Sequence, residues 1–218
     1  MLRRAQTSEA VTFADAVEGR CSVRRFTGDP VPRGDVREMV ALATRAANAG
    51  NKQMWRFIAV ADRDLLRRMG EAVAAKLDEF AAWPSLRHDA ARVRRMKGYS
   101  TFFAEAPLTI VVVGLPYVSI GDELLRKAGC TGEERDRLRA RPDLQSIGAA
   151  VQLLCTAAHV KGYGTCWMTA PVIAAPELEA LLGISSPASV VALVPLGRPA
   201  GPRRRSRRLP VDSVLEFR

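Results

Sequence analysis

Histidine is almost missing from this chain. Only His88 and His159 occur among 218 residues. A serine or cysteine triad would have to take one of these two as its base, and a histidine-rich zinc centre is excluded, with no H-E-x-x-H in the sequence. There is no G-x-x-x-x-G-K-[ST] loop and no G-x-G-x-x-G behind a strand, which removes P-loop enzymes and ordinary Rossmann dehydrogenases. The four cysteines, Cys21, Cys130, Cys155 and Cys166, form no C-x-x-C pair. They read as reduced thiols of a cytoplasmic protein with no metal site. No apolar run reaches the roughly 18 residues of a membrane span. The arginines near the start have no apolar stretch behind them, so we expect neither a signal peptide nor a membrane partner.

Positive charge is what the chain has in excess: Lys and Arg number 33 against 23 Asp and Glu, a net charge of +10. Two stretches concentrate it. Residues 203–208 carry five arginines, and residues 87–97 carry Arg87, Arg92, Arg94, Arg95 and Lys97 against Asp89. Neither stretch has interleaved aromatics or the signature of a nucleic-acid-reading module. We therefore expect no nucleic-acid partner and read 87–97 as a solvated basic face; a basic nucleic-acid-binding protein without redox activity is the alternative from another class. With 48% hydrophobic and 26% charged residues the composition is that of a globular chain. Its length suits a single domain over 1–218 that buries roughly 70% of its unfolded surface.

Thr12 and Asp15 have the spacing of a helix-opening box, and Gly19 can close that helix. Val36, Met39, Val40, Ala43 and Ala47 predict a helix over 35–47. Helices are expected from Asp62 to about Ala82, over roughly 85–97, over 144–160 and over 174–182. Strands are expected at 55–60, 108–114, 165–168 and 189–196, with an extended tail at 209–217. Residues 115–142 are charged and irregular, with short helices at most, and read as a variable excursion or lid. This alternation gives an α+β or α/β fold with a helical layer against a small sheet.

Three segments place polar or small residues where chemistry could use them. In Arg20-Cys21-Ser22-Val23-Arg24, alternation along an extended chain projects Arg20, Ser22 and Arg24 to one side. Two planar guanidinium groups flanking a hydroxyl suit a phosphate dianion, and exposed charge before a strand is the plainer reading. Asn48, Asn51 and Gln53 each offer a donor and an acceptor of the kind a flat heterocycle with alternating carbonyl and N–H groups needs. Asn48 could equally be a helix-end residue. Gly162-Tyr-Gly-Thr-Cys-Trp-Met168 allows close backbone approach to a ligand, with Trp167 or Met168 able to cover a ring, or is an ordinary core strand.

In this order the segments resemble the nitroreductase family of FMN-dependent oxidoreductases. The likeness runs through Arg20-Cys-Ser-Val-Arg-Arg-Phe26, Asp29-Pro-Val-Pro32, Ala46 to Phe57, Ala106 to Val113, Ala157 to Met168 and Leu182 to Gly197, over about residues 13 to 215. Each motif is loose alone and specific in this sequence of six. The resemblance implies an α+β fold, a three-layer α-β-α arrangement with a small mixed sheet flanked by helices, and an intertwined homodimer with FMN at the interface. It implies hydride transfer from NAD(P)H to a small-molecule acceptor, a nitroaromatic or quinone, by alternating half-reactions, with no catalytic side chain. Flavin-consuming or reductively dehalogenating chemistry is the alternative within the family, with residues 115–142 deciding among them. By position, Arg20, Cys21 (through its backbone N–H), Ser22 and Arg24 would hold the FMN phosphate and ribityl chain. Ala47, Asn48, Ala49 and Asn51 of the other subunit would line the flavin, and Met168, Thr169 and Ala170 would approach its ring. Arg207 or Arg208 would reach the phosphate. The sequence departs from the family at Met54, where proline is usual, and at Ala47-Asn48 in place of Pro-Ser. These departures would reshape the substrate wall.

Overall fold

The computed structural model describes residues 11–202 and 206–218. The first ten residues, on which the signal-peptide reading partly rests, and Arg203, Arg204 and Arg205 of the basic run lie outside the described residues.

Four strands form the sheet: β1 (Trp55–Val60), β2 (Leu108–Gly114), β3 (Gly164–Thr165) and β4 (Ser189–Gly197), in the order β1-β2-β4-β3. All three strand pairs are antiparallel, with Phe57 opposite Val112, Val111 opposite Leu193 and Thr165 opposite Leu196. The expected α+β fold with a small sheet is present, and its named strands are antiparallel throughout. Among the described residues the parallel pairing is the single bridge from Ser22 to Thr165, outside the named strands. Pairing direction depends on where the connections run, and strand composition does not encode it.

β2 is buried along its whole length, as its run of branched side chains requires. Leu108, Ile110 and Val112 face a core built with α2 (Arg33–Ala43) and α7 (Pro142–Val160). Val111 and Val113 face a second core built with α3 (Arg63–Ala81) and α8 (Ala175–Leu182). Two helical layers thus enclose the sheet. The pairing of β2 with β4 slips between Val112 and Val113, where the partners jump from Ala192 to Val190, so that Val191 is the extra residue of a bulge.

The expected elements recur with shifted ends. α1 (Phe13–Gly19) opens on Thr12, whose hydroxyl accepts from Asp15 N at 3.1 Å while the Asp15 carboxylate accepts from Thr12 N at 3.2 Å. α2 stops at Ala43, earlier than the periodicity suggests: Thr44 caps it by donating to Ala41 O at 2.8 Å, and Ala46 instead of Ala47 fills the core. The basic helix α4 (Ala90–Thr101) starts later than expected because Trp83–Leu86 forms a tight turn at Pro84. The strand expected at 165–168 pairs only at its start and, after a break, at Met168. The excursion carries α5 (Ile120–Lys127) and α6 (Gly132–Arg139), each opened by a reciprocal cap, Ser119 with Asp122 and Thr131 with Glu134. The tail contains a tight turn at Val211–Ser213 where extended chain was expected. No helix among the described residues is long and apolar enough to cross a membrane.

Two contacts fix the pieces that matter for the site. The segment after α1 lies so close to β3 that a Cβ on Gly164 would sit 2.6 Å from Val23. At the far end of α7, the Tyr163 hydroxyl donates to the Asp35 carboxylate at 2.5 Å, Lys161 lies 3.1 Å from Asp35, and Arg198 stacks 5.1 Å over the Tyr163 ring. The Tyr163 hydroxyl, aided by Lys161, holds the Asp35 carboxyl below its ordinary value.

Gly164→Ala is expected to destabilise the protein by about 1–3 kcal/mol in urea unfolding, since the neighbour is a buried branched side chain. Gly98→Ala, in exposed helix with open space around it, should stabilise by about 0.5–1 kcal/mol. Because the folded state depresses the Asp35 carboxyl, its contribution is present above the unfolded value near 3.9 and fades as pH falls through the lower folded value. Tyr163→Phe should therefore reduce the loss of thermal stability between pH 5 and pH 2.5; an unchanged pH profile would contradict this.

Candidate functional site

The segment after α1 runs as an added edge to β3. Val23 N donates to Thr165 O at 2.8 Å, Thr27 N to Arg198 O at 2.9 Å, and Ala200 N to Arg25 O at 3.0 Å. This extended path enforces alternation. Cys21 and Val23 are buried, Arg20 is half-buried, and Ser22 and Arg24 are exposed. Arg20, Cys21 and Ser22 line a pocket of about 410 Å³ with Val17, Glu18, Ser206 and Arg208. Of the two tail arginines expected near a phosphate, Arg208 is in this lining and Arg207 is not. Arg24 points along a different line, its guanidinium carbon 6.0 Å from the centre of the Tyr99 ring.

Arg20, Arg24, Arg207 and Arg208 make no ion pair among the described residues, where other arginines such as Arg67 and Arg141 are paired. Glu18 is the one carboxylate in the pocket lining. Two guanidinium groups and a hydroxyl therefore converge with acceptors in deficit, a donor set that fits a phosphate monoester. The thiols of Cys166 and Cys155 add no nucleophile nearby. Burial pushes the Cys166 thiol up, against the pull of Arg24, the Ser22 hydroxyl and Arg20, and burial likewise raises Cys155. All four cysteines are free. Among the described residues no three His, Cys, Asp or Glu side chains gather to hold a metal ion.

The second segment is a strained loop between α2 and β1. Gly50, Asn51 and Gln53 have φ of 59°, 50° and 48°. Asparagine tolerates this region, whereas for Gln53 it costs about 1 kcal/mol or more. Asn48 acts as the clamp: its Oδ1 accepts from Gln53 N at 2.8 Å and its Nδ2 donates to Ala46 O at 3.2 Å. Ala49 N donates to Ser146 Oγ at 3.0 Å, and that hydroxyl donates to Pro142 O at 2.6 Å. Asn48 thus spends its amide on the loop, while the exposed Asn51 and Gln53 side chains have no partner among the described residues. Ala47 is exposed and Ala49 half-buried. Met54 is 1% exposed and sits in the core, so this departure from the family pattern cannot shape a substrate wall directly.

In the third segment Met168 exchanges both backbone hydrogen bonds with Leu193 at 2.9 Å, and its side chain is buried. Trp167 is 44% exposed, its ring lying over Gly148 of α7, so Trp167 offers the surface able to cover a ring. Thr169 is exposed and Ala170 half-buried at the turn that follows.

Within the chain the first and third segments meet at the Ser22–Thr165 bridge, while the second lines a different pocket. The Asn48–Gln53 loop shares a pocket of about 530 Å³ with the excursion, through Gly50, Lys52, Tyr117, Ser119 and Arg139, and none of its lining residues is shared with the Arg20 pocket. Sequence reasoning missed Ser146, the excursion's arginines and Tyr117. Ser146 gave no signal in an apolar helix, but the Ser119–Asp122 and Thr131–Glu134 spacings could have located α5 and α6. The basic stretch 87–97 is partly neutralised, Arg92 by Asp89 at 2.9 Å and Lys97 by Asp78 at 2.5 Å.

A model of the nitroreductase family matches residues 17–198. The chain is 28% identical to an NADH dehydrogenase of Thermus thermophilus, covering 91% of this chain and 92% of that protein. It is 27% identical to a 5,6-dimethylbenzimidazole synthase of Rhodospirillum rubrum, covering 86% and 84%. The crystal structure of a BluB-like flavoprotein from Clostridium difficile 630 superimposes with a TM-score of 0.85 at 29% identity, covering 94% of this chain and 98% of that one.

Removing the hydroxyl that joins the loop to α7 tests this geometry. Ser146→Ala leaves the Ala49 amide without its acceptor and should cost about 1 kcal/mol. Hydrogen exchange at Ala49 should accelerate; an unchanged rate would show that the loop is held by other means.

Proposed function

Because the chain belongs to the nitroreductase family and is by that membership a flavin oxidoreductase, we propose that it holds FMN between two copies of itself and passes hydride from NAD(P)H to an electron-poor organic acceptor, a nitroaromatic or quinone. The observation that carries this reading is the pocket where Arg20, Ser22 and Arg208 meet with no carboxylate bonded to either guanidinium. FMN, when bound, supplies the centre that takes up and gives back hydride.

The remaining work falls to the chain's own residues. Arg20 and Arg208 neutralise the phosphate dianion, and the Ser22 hydroxyl and the N–H of Cys21 complete its hydrogen bonds. Arg24 adds positive potential nearby. Asn51 and Gln53, on a loop held rigid by Asn48 and Ser146, present amides to the polar edge of the heterocycle from a second copy, with Ala47 and Ala49 beside it. Trp167, Thr169 and Ala170 cover the ring, with Met168 anchoring that stretch to β4. The positive surround lowers the energy of negative charge gathered on the ring. Donor and acceptor use one face in turn, so no side-chain acid or nucleophile is needed. The homodimer is supported by apolar side chains left in water on α1 and along the tail, with Phe13 83% and Phe217 88% exposed. The whole of 1–218 then serves one site, with 115–142 as its lid.

A second reading is flavin consumption. It is supported by the likeness to the 5,6-dimethylbenzimidazole synthase, whose named product shares a dimethyl-substituted benzene ring bearing two nitrogens with the flavin ring system. In that case flavin absorbance lost under NAD(P)H and air would not return.

For acceptor reduction, the purified protein should be yellow, initial-rate plots should be parallel lines, and the bleached flavin should recover its colour with each addition of acceptor. Arg20→Ala and Arg208→Ala should each weaken FMN binding by about tenfold or more, and Arg207→Ala by less than about twofold. A colourless protein that takes up no FMN would refute the proposal.

A further inference from the structure

The excursion encloses a pocket of its own. α5 and α6 pack together, and the chain then enters α7 through Ala140 and Arg141, two consecutive non-glycine residues with φ of 53° and 50°. Such a pair costs about 1 kcal/mol or more per residue. It is held by Arg141, which reaches Asp136 at 3.2 Å and Asp143 at 2.9 Å, and by the Gln145 side chain donating to Ala140 O. The strained turn turns the guanidinium of Arg141 into a cavity of about 520 Å³, a volume suited to a small organic ligand.

Four arginines and three aspartates line this cavity, leaving one positive charge. The aspartates are all engaged by two of the arginines: Arg139 reaches Asp122 at 3.3 Å and the Ser119 hydroxyl at 2.9 Å, and Arg141 takes Asp136 and Asp143. Arg126, from the last turn of α5, has no partner among the described residues. Arg135, from α6, donates only to Cys130 O, at 2.7 Å. Two guanidinium groups from different helices therefore face one cavity, neither of them bonded to a carboxylate among the described residues. Tyr117 and Val118 line both this cavity and the neighbouring pocket that reaches Gly50 and Lys52. A continuous path thus leads from Arg126 and Arg135, past an aromatic and an apolar side chain, to the Asn48–Gln53 loop.

We propose that the lid carries a carboxylate-binding subsite, and that the acceptor is an aromatic acid. Its carboxylate is held by Arg126 and Arg135, and its ring runs along Tyr117 and Val118 toward the loop. The surplus of a single positive charge suits a monoanion, since a dianion would also meet three aspartates. The assignment of this ligand as the acceptor rests on the oxidoreductase reading above; the subsite itself does not.

The test compares 4-nitrobenzoate with nitrobenzene on the FMN-loaded protein, by calorimetric binding and by NAD(P)H-dependent reduction. Wild type should favour 4-nitrobenzoate in Kd and in KM. Arg126→Gln and Arg135→Gln should each lower that preference by about tenfold. Arg137→Gln, on the same helix and outside the cavity, should leave the preference intact. Arg126→Gln removes no bond within the protein, so its effect cannot be ascribed to misfolding. Arginine-dependent binding of 4-nitrobenzoate with reduction of neither compound would keep the subsite and overturn the redox reading. Reduction of both compounds with no preference for the acid, or a preference that Arg137→Gln lowers as much as Arg126→Gln, would overturn the subsite.

Discussion

Two guanidinium groups facing one pocket without a bonded carboxylate repel one another until an anion arrives, and the chain keeps Arg20 and Arg208 in that condition. The cofactor grip proposed for this protein depends on that uncompensated charge. It is maintained by backbone geometry. Because Val23 is pinned to Thr165 and packed against Gly164, residues 20–24 must alternate, and Arg20 and Ser22 must turn away from the core. Flavin chemistry needs little more from side chains than position and potential, which is consistent with a chain that has two histidines and whose buried thiols Cys155 and Cys166 are held protonated.

The rest of the fold supplies rigidity at two distances from this pocket. The antiparallel sheet and its two helical layers fix β3 and therefore the Arg20–Arg24 segment paired to it. α7 does a second job through Ser146, which holds the Asn48–Gln53 loop from the side. The loop's left-handed residues are tolerable because Asn48 and Ser146 together over-determine their conformation. The loop and the Arg20 pocket share no lining residue, which is why the proposed site draws on a second copy. Residues 115–142 share a pocket with the loop and none with the Arg20 pocket, so under the proposed function differences in their chemistry would act on the acceptor while leaving the cofactor grip alone.

Much of this was legible in the residues. The branched run at 108–114 is a strand at those limits, because a fully buried strand has no alternative pattern to confuse it, and the half-buried strand at 55–60 also keeps its expected limits. The alternation that buries Cys21 and Val23 and leaves Ser22 and Arg24 exposed follows from the extended chain, although Arg24 turns toward Tyr99 and does not join Arg20 and Ser22 in the pocket. Other features were hidden because they arise only after folding. Sheet direction is a property of the connections, and the expected mixed sheet is antiparallel in its named strands. Asn48 could be read as a ligand-facing amide or as a helix-end residue, and only the folded loop shows its Oδ1 accepting from the Gln53 N–H five residues on. Met54 looked like part of a wall and is core. Arg126 and Arg135 lie nine positions apart in a charged stretch with no pattern, and only the packing of α5 on α6 brings them to one cavity.

The central claim is that the cofactor is gripped through its phosphate. Riboflavin carries the same ring and ribityl chain without that group, so titrating the protein with FMN and with riboflavin, following flavin fluorescence, isolates the term directly. Two charge-assisted contacts predict that FMN binds about a hundredfold more tightly, with the advantage shrinking as salt is added. Equal affinities for the two flavins would contradict the account.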